Sequence, residues 1–236
     1  MLVRILVDVG PYSHVRQLGE DTLARCRRVF GDDHLDTLHA AHFLAVCLHR
    51  VGAFEQSRQL NADTLTRRRR VLGDDHLEVQ RSAHSLARDL RELGEVKEAR
   101  QLHEGVLAHR RRVLGEEHPA TINTAIELGF DLYALGEVDA ARQLAEDTFT
   151  RARRVVGDES HFTLDAANIL ATALHGVGEL DAARQLSEDT LARAQRVFGD
   201  NHPHTLKAAD NLATVLRLLS EAEPTPQRTC DPVDEL

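Results

Sequence analysis

The triplet Arg-Gln-Leu stands at 16–18, 58–60, 100–102, 142–144 and 184–186, a pitch of forty-two residues held five times. Two glycine columns keep the same pitch: Gly31, Gly73, Gly115, Gly157 and Gly199, and Gly10, Gly52, Gly94, Gly136 and Gly178. Between Gln17–His34 and Gln185–His202, fourteen of eighteen positions are identical. Self-similarity at this spacing predicts a stacked solenoid, in which each unit buries its apolar face only against its neighbours. It also argues against an enzyme. A catalytic site needs one asymmetric constellation, and a scaffold unit copied five times does not supply it.

One unit shows why the fold should be all-α. From Thr37 to Val51, residues Leu38, Ala41, Leu44, Ala45 and Leu48 recur at helical spacing, the stripe of an amphipathic helix. Gly52 follows as a stop signal, tolerating the positive φ needed just past a helix end. Phe54–Leu72 reads as a second helix with Leu60, Leu65, Val71 and Leu72 turned inward, and Gly73 ends it. Pro119 and Pro203 fall where a first helical residue belongs. The expected architecture is therefore a right-handed superhelical solenoid of antiparallel helix pairs over residues 1–221. It divides into a partial repeat 1–31, repeats 32–73, 74–115, 116–157 and 158–199, and a closing helix 203–221. Residues 222–236 carry three prolines and several acids with little apolar content, and are expected to form a disordered acidic tail.

The two ends and the composition narrow the class further. Leu2, Ile5, Leu6 and Val9 align with Leu44, Cys47, Leu48 and Val51, so the apolar opening reads as the back half of a first helix, not a signal peptide. A chain beginning mid-unit is expected to be a fragment, to have a misplaced start, or to lack an upstream domain. Cys26, Cys47 and Cys230 have no metal spacing, which suits a reducing, cytoplasmic setting without cofactors. The final Val-Asp-Glu-Leu is similar to a retention signal, but no secretory signal accompanies it. No segment predicts a membrane partner. A net charge of −9 speaks against nucleic acid. Arginine outnumbers lysine twenty-seven to two, which suggests a GC-rich bacterial source of the actinobacterial kind.

Gly-Asp-Asn-His-Pro-His-Thr-Leu at 199–206, followed by Asn211, Leu212 and Ala213, resembles the kinesin-light-chain type of tetratricopeptide repeat. So does the stretch from Gly136 to Leu144. The resemblance covers nearly the whole chain. It implies a concave groove lined by the first helices, receiving a protein or peptide, and in bacteria often the sensing arm of a larger regulator. The family's groove columns carried onto this sequence include His39, His42, Phe43, His84, Arg88, Arg91, Asn123, Phe130, Tyr133, Asn168 and Asn211. Relatives that hold a peptide backbone use an asparagine in the Phe43, Ser85, Glu127, Ile169 and Asn211 column. Only Asn211 matches, and Asn168 falls one residue early.

Several side-chain groups carry two readings. His39, His42, His49 and His84 share one groove region and resemble a metal or pH-sensing cluster, but no cysteine or carboxylate completes a ligand set, so no metal is expected. His34, His76, His118 and His202 recur in the loops and are expected to fix the turn in each unit. Arginines at the second-helix ends form a ridge that acidic loops are expected to neutralise, with each cation also complementing the helix dipole. Phe130 and Tyr133 are either a binding anchor or packing against a neighbour. No nucleophile elbow, H-E-x-x-H or phosphate loop occurs. The expected function is a non-enzymatic protein-interaction module, with Arg88 and Arg91 meeting acidic side chains. The alternative is an assembly element that docks or forms a homodimer through an apolar N-terminal edge, Leu2, Ile5 and Leu6.

Overall fold

The computed structural model describes residues 11–222, with side chains from 16 to 221. Among these residues there are ten helices and no strand. They are α1 (Pro11–Phe30), α2 (Leu35–Arg50), α3 (Phe54–Leu72), α4 (Leu77–Glu92), α5 (Val96–Leu114), α6 (Pro119–Ala134), α7 (Val138–Val156), α8 (His161–Gly176), α9 (Leu180–Phe198) and α10 (Pro203–Ala222). Each helix packs on the ones before and after it, and the first helices of successive pairs (α2, α4, α6, α8, α10) also touch one another. That second set of contacts builds one continuous wall. Leu2, Ile5, Leu6, the acidic tail and Cys230 lie outside the described residues.

The turn columns work as local physics predicts. Gly73, Gly115, Gly157 and Gly199 each take φ near 80–85°, a region closed to most side chains, and each returns its N–H to a carbonyl of the last helical turn. Three residues on, the loop histidine is an N-cap. Nδ1 of His34, His76, His118 and His202 accepts the backbone N–H two residues ahead, at 3.1–3.3 Å. In the remaining unit Ser160 stands there and makes no side-chain cap bond. Replacing His118 by alanine is expected to lower stability by about 1 kcal/mol. His118→Asn, which caps through an amide oxygen, should retain most of it, and urea midpoints will read the difference.

The core lies between the two helices of each unit and between successive units. Leu48, Leu90, Leu132 and Leu174 occupy one buried column, and Ala41, Ala83, Ala125 and Ala167 another. Val71 departs from expectation: it is largely exposed, because its column lies at the outer edge of the second helix, with Val113 and Val197 exposed alongside. The same edge carries the arginine ridge, and there four cations make equivalent pairs. Arg70 meets Asp33, Arg112 meets Asp75, Arg154 meets Glu117 and Arg196 meets Glu159, at 2.5–2.7 Å and always thirty-seven residues apart. Exposed pairs like these hold register more than they add stability.

Interior polarity changes along the array. The column Cys47, Asp89, Asp131, Ala173, Val215 is buried throughout, yet two of its five members are carboxylates. In the column Asn61, His103, Ala145, Ser187 and the column Arg68, Arg110, Ala152, Ala194, the large polar or charged members stand in units 32–73 and 74–115, each one unit before a carboxylate. From α7 onward alanine mostly replaces these groups, and the largest apolar cluster lies there, around Ile122, Ile126, Ile169, Leu170 and Val215.

Candidate binding groove

The wall of first helices carries a chain of bonded polar groups that begins beneath α2. Asp89 is fully buried; its carboxylate accepts from His49 Nδ1 at 2.7 Å, Ser57 Oγ at 2.9 Å and Asn61 Nδ2 at 2.7 Å. Arg88 Nη2 donates to His49 Nε2 at 3.2 Å. One histidine tautomer satisfies both contacts, with the proton on Nδ1. His49 and Arg88 then line an open cleft with Val46, Arg50, Asn61, Ser85 and Asp89.

The chain continues between α4 and α6. Arg91 places Nη2 on Glu127 at 2.5 Å and Nη1 on Asp131 at 3.2 Å, while His103 Nδ1 sits 2.5 Å from the other Asp131 oxygen. Arg88 approaches Glu127 from the opposite side at 3.4 Å. Burial would raise the Glu127 carboxyl, but Arg91 and Arg88 outweigh it and hold the group well below the usual carboxylate range. His84, buried against His103, is pushed well below the ordinary imidazole value by desolvation first and by its neighbour second. Asn123 bonds its Nε2 at 3.1 Å.

Past α6 the wall turns aromatic and then amide-rich. The Tyr133 hydroxyl lies 3.2 Å from His175 Nε2. Lys207 Nζ sits 4.0 Å over the Phe130 ring, and Arg91 approaches the same ring at 5.6 Å. Asn211 donates to the backbone and side-chain oxygens of Asn168 at 3.3 and 3.2 Å.

These positions sort the expected groove residues into two groups. Phe43 stands 53% exposed, with Val46 and Arg50 along the same helix face, and His39, Arg81 and Arg88 present exposed polar ends. His42, Asn123, Phe130, Tyr133 and Asn211 are half-buried. Three placements are corrected. His84 (8% exposed) and Asn168 (1%) lie beneath the wall because their columns face the second helices, and Arg91 is neutralised internally by two carboxylates, so it is not free for a partner's acids. The four groove histidines do not converge. His39 leans on Glu78 at 3.4 Å and His49 on Asp89, while the His84 ring faces His103. Among the described residues no group of three or more potential ligands is placed to hold a metal ion.

Asp89, Asp131, His103 and Asn61 organise this wall, and they were absent from the expected site. A signal for them exists: the aspartates share a column with Cys47, Ala173 and Val215, and Asn61 and His103 share one with the small residues Gly19, Ala145 and Ser187. A carboxylate on a buried stripe must be paired. Which groups pair with it depends on contacts 28–40 residues away, which spacing alone does not show.

Among the described residues no helix is long and apolar enough to cross a membrane. Two family profiles, both described as Tetratricopeptide repeat, match residues 41–104 and 78–154, and residues 1–36 and 163–204. No curated protein sequence matches. Among solved structures, TPR-like repeats of a chain described as a kinesin light chain from Podosopora anserina (the Q17M form) align at 26% identity and TM-score 0.67. They cover 83% of this chain and 92% of that one. BtubC (BKLC) from P. vanneervenii aligns at 16% identity and TM-score 0.66, covering 96% and 99%. A Rap protein complexed with Competence and Sporulation Factor aligns at 13% identity and TM-score 0.57, covering 92% of this chain and 62% of that one.

Proposed function

Because this chain belongs to the tetratricopeptide-repeat family, we propose that it is a protein-interaction module that receives an acidic segment bearing one apolar side chain along the α2–α4 part of its wall. The observation that carries this reading is the exposed Phe43 beside a cleft lined by Arg50 and by Arg88, whose guanidinium stays part-exposed while it touches His49 and Glu127. An apolar partner side chain settles on Phe43, and a carboxylate reaches Arg88 and Arg50. Aromatic and arginine anchors are the residues that commonly dominate binding energy. His39 and Arg81 extend the same cationic rim, with Glu78 between them. Asn123, Phe130, Tyr133 and Asn211 form the continuation of the wall, where Lys207 already covers Phe130 and leaves that ring a poorer anchor. The Rap protein's complex with Competence and Sporulation Factor, on the same fold at low identity, supports a partner-binding role. No part of this reading involves catalysis, a cofactor, a nucleic acid or a membrane.

The test is a peptide array of acidic segments with a single Leu, Phe or Trp, followed by anisotropy on the best binder. Phe43→Ala and Arg88→Glu are each expected to weaken that binder by roughly ten- to a hundredfold, an anchor residue's share of binding energy. Lys207→Ala should leave it within about threefold, as a rim charge does. Selection of basic peptides, or equal affinity in the Arg88→Glu variant, overturns the reading.

A further inference from the structure

The last helix, α10, occupies the register of a first helix, yet no second helix covers its outer face among the described residues. The column of Leu48, Leu90, Leu132 and Leu174 is buried in four units, but its fifth member, Leu216, is 46% exposed. Leu206, in the column of buried Leu38, Ile122 and Leu164, is 52% exposed. Ala213 is exposed where Ala45, Ala87 and Ala171 are buried.

The opposite end is complementary. By register, α1 is a second helix: Leu23 is buried against α2, as Leu65 and Leu107 are against α4 and α6. Its other side holds Leu18, 64% exposed, in the column of Leu60, Leu102, Leu144 and Leu186. Those four are part-buried against the first helix of their own unit, beside Leu48, Leu90, Leu132 and Leu174 respectively. Thr22 is likewise exposed where Thr64, Val106, Thr148 and Thr190 are buried. One end therefore lacks the leucine that the other end offers.

We propose that α1 of a second copy of this chain docks on the outer face of α10, completing a composite helix pair and joining copies head to tail. Leu18 of one copy enters beside Leu212 and Leu216 of the next, as Leu60 does beside Leu44 and Leu48 within a chain. Charge follows the same register. Arg151 meets Glu116 at 2.8 Å and Arg193 meets Asp158 at 3.2 Å, each thirty-five residues back. The same offset carried across the junction sets Arg25 of the incoming helix against Asp200. Arg25 has no ion-pair partner among the described residues, and Asp200 has only a glutamine. Residues Leu2 and Leu6 stand by sequence in the columns of Leu212 and Leu216. Because the contact is heterologous, the chain elongates without closing at a dimer.

Sedimentation velocity and light scattering on the full chain, across about a thousandfold range of concentration, test this. The wild type is expected to gain mass continuously beyond that of a dimer. Leu18→Glu and Leu216→Glu alter exposed side chains, so circular dichroism should match the wild type, and each variant alone should be monomeric. Mixed, they should form a one-to-one complex, because each retains the end that the other lacks. Arg25→Asp or Asp200→Arg alone should weaken association about tenfold, with most of it restored when both are combined. A wild type that is monomeric throughout overturns the proposal. So does association that survives Leu18→Glu but not Leu216→Glu, which would mark a symmetric pairing of α10 faces, or association that survives both. None of these outcomes depends on Phe43 or Arg88, so the groove reading stands or falls separately.

Discussion

Replacing Asp131 by alanine is expected to destabilise the protein by about 3–5 kcal/mol, the scale set by removing one partner of a buried charge network. Asp131 has no solvent exposure, and it accepts from Arg91 at 3.2 Å and His103 at 2.5 Å. Its loss leaves a guanidinium and an imidazole facing a void, and water does not readily replace the carboxylate there. Alanine itself is not the difficulty. One unit later Ala173 fills the same column, with Ala145 and Tyr133 standing where His103 and Arg91 stand. The combined change Asp131→Ala, His103→Ala, Arg91→Tyr, Glu127→Ile, which copies that apolar solution down to Ile169 and removes the carboxylate that Arg91 pairs, should recover most of the loss. Urea unfolding at constant slope separates the two cases. A deficit under about 1 kcal/mol for the single change would mean that the network adds little beyond packing.

Acidification is expected to unfold the chain by a second route. Burial, reinforced by Arg68 and Arg81, lowers His42 from 6.5 to about 4, and Glu78 and Asn61 only partly oppose this. The unfolded chain therefore takes up the proton first as pH falls. The contribution of His42 is fully present above about pH 6.5, declines through the interval down to about 4, and is gone below it. At 1.36 kcal/mol per unit the ceiling is near 3.4, and partial exposure reduces it to about 2–3 kcal/mol. His84 shifts in the same direction, and Glu127, held low by its arginines, adds a loss that begins as pH falls into the ordinary carboxylate range and continues below it. Stability measured from pH 7 to 4 should fall steeply, with His42→Asn flattening the slope. An unchanged slope in that variant would remove His42 from the account.

Helix ends were the most legible part of this chain, since glycine, histidine and proline each mark a boundary through local backbone chemistry. Phe54–Leu72 is an instance: a glycine column closes the helix on both readings. Local chemistry explains little about the wall. Arg91 reads as a free groove cation until Glu127 and Asp131, thirty-six and forty residues away, are placed beside it. His84 and Asn168 look like groove residues by column, yet helix rotation turns them under the surface. Val71 fails in the opposite sense, being apolar on an outer edge whose stripe is only approximately periodic. In each case the deciding contact lies in another unit. The side chains free to meet a partner are those whose neighbours across the unit boundary do not claim them, and Phe43 is the clearest of them.

The change from charged to alanine-filled interiors also constrains the chain's evolution. Units with the same outline are not interchangeable parts. Transplanting the segment that carries Asp131 beside Ala145 would strand a carboxylate, and the reverse exchange would strand His103. Whole-unit duplication or shuffling, the easy route by which such arrays grow, is therefore open at the alanine-lined end and closed in the middle. The buried ions act as an address that keeps the α2–α4 wall next to the α6 wall, in that order.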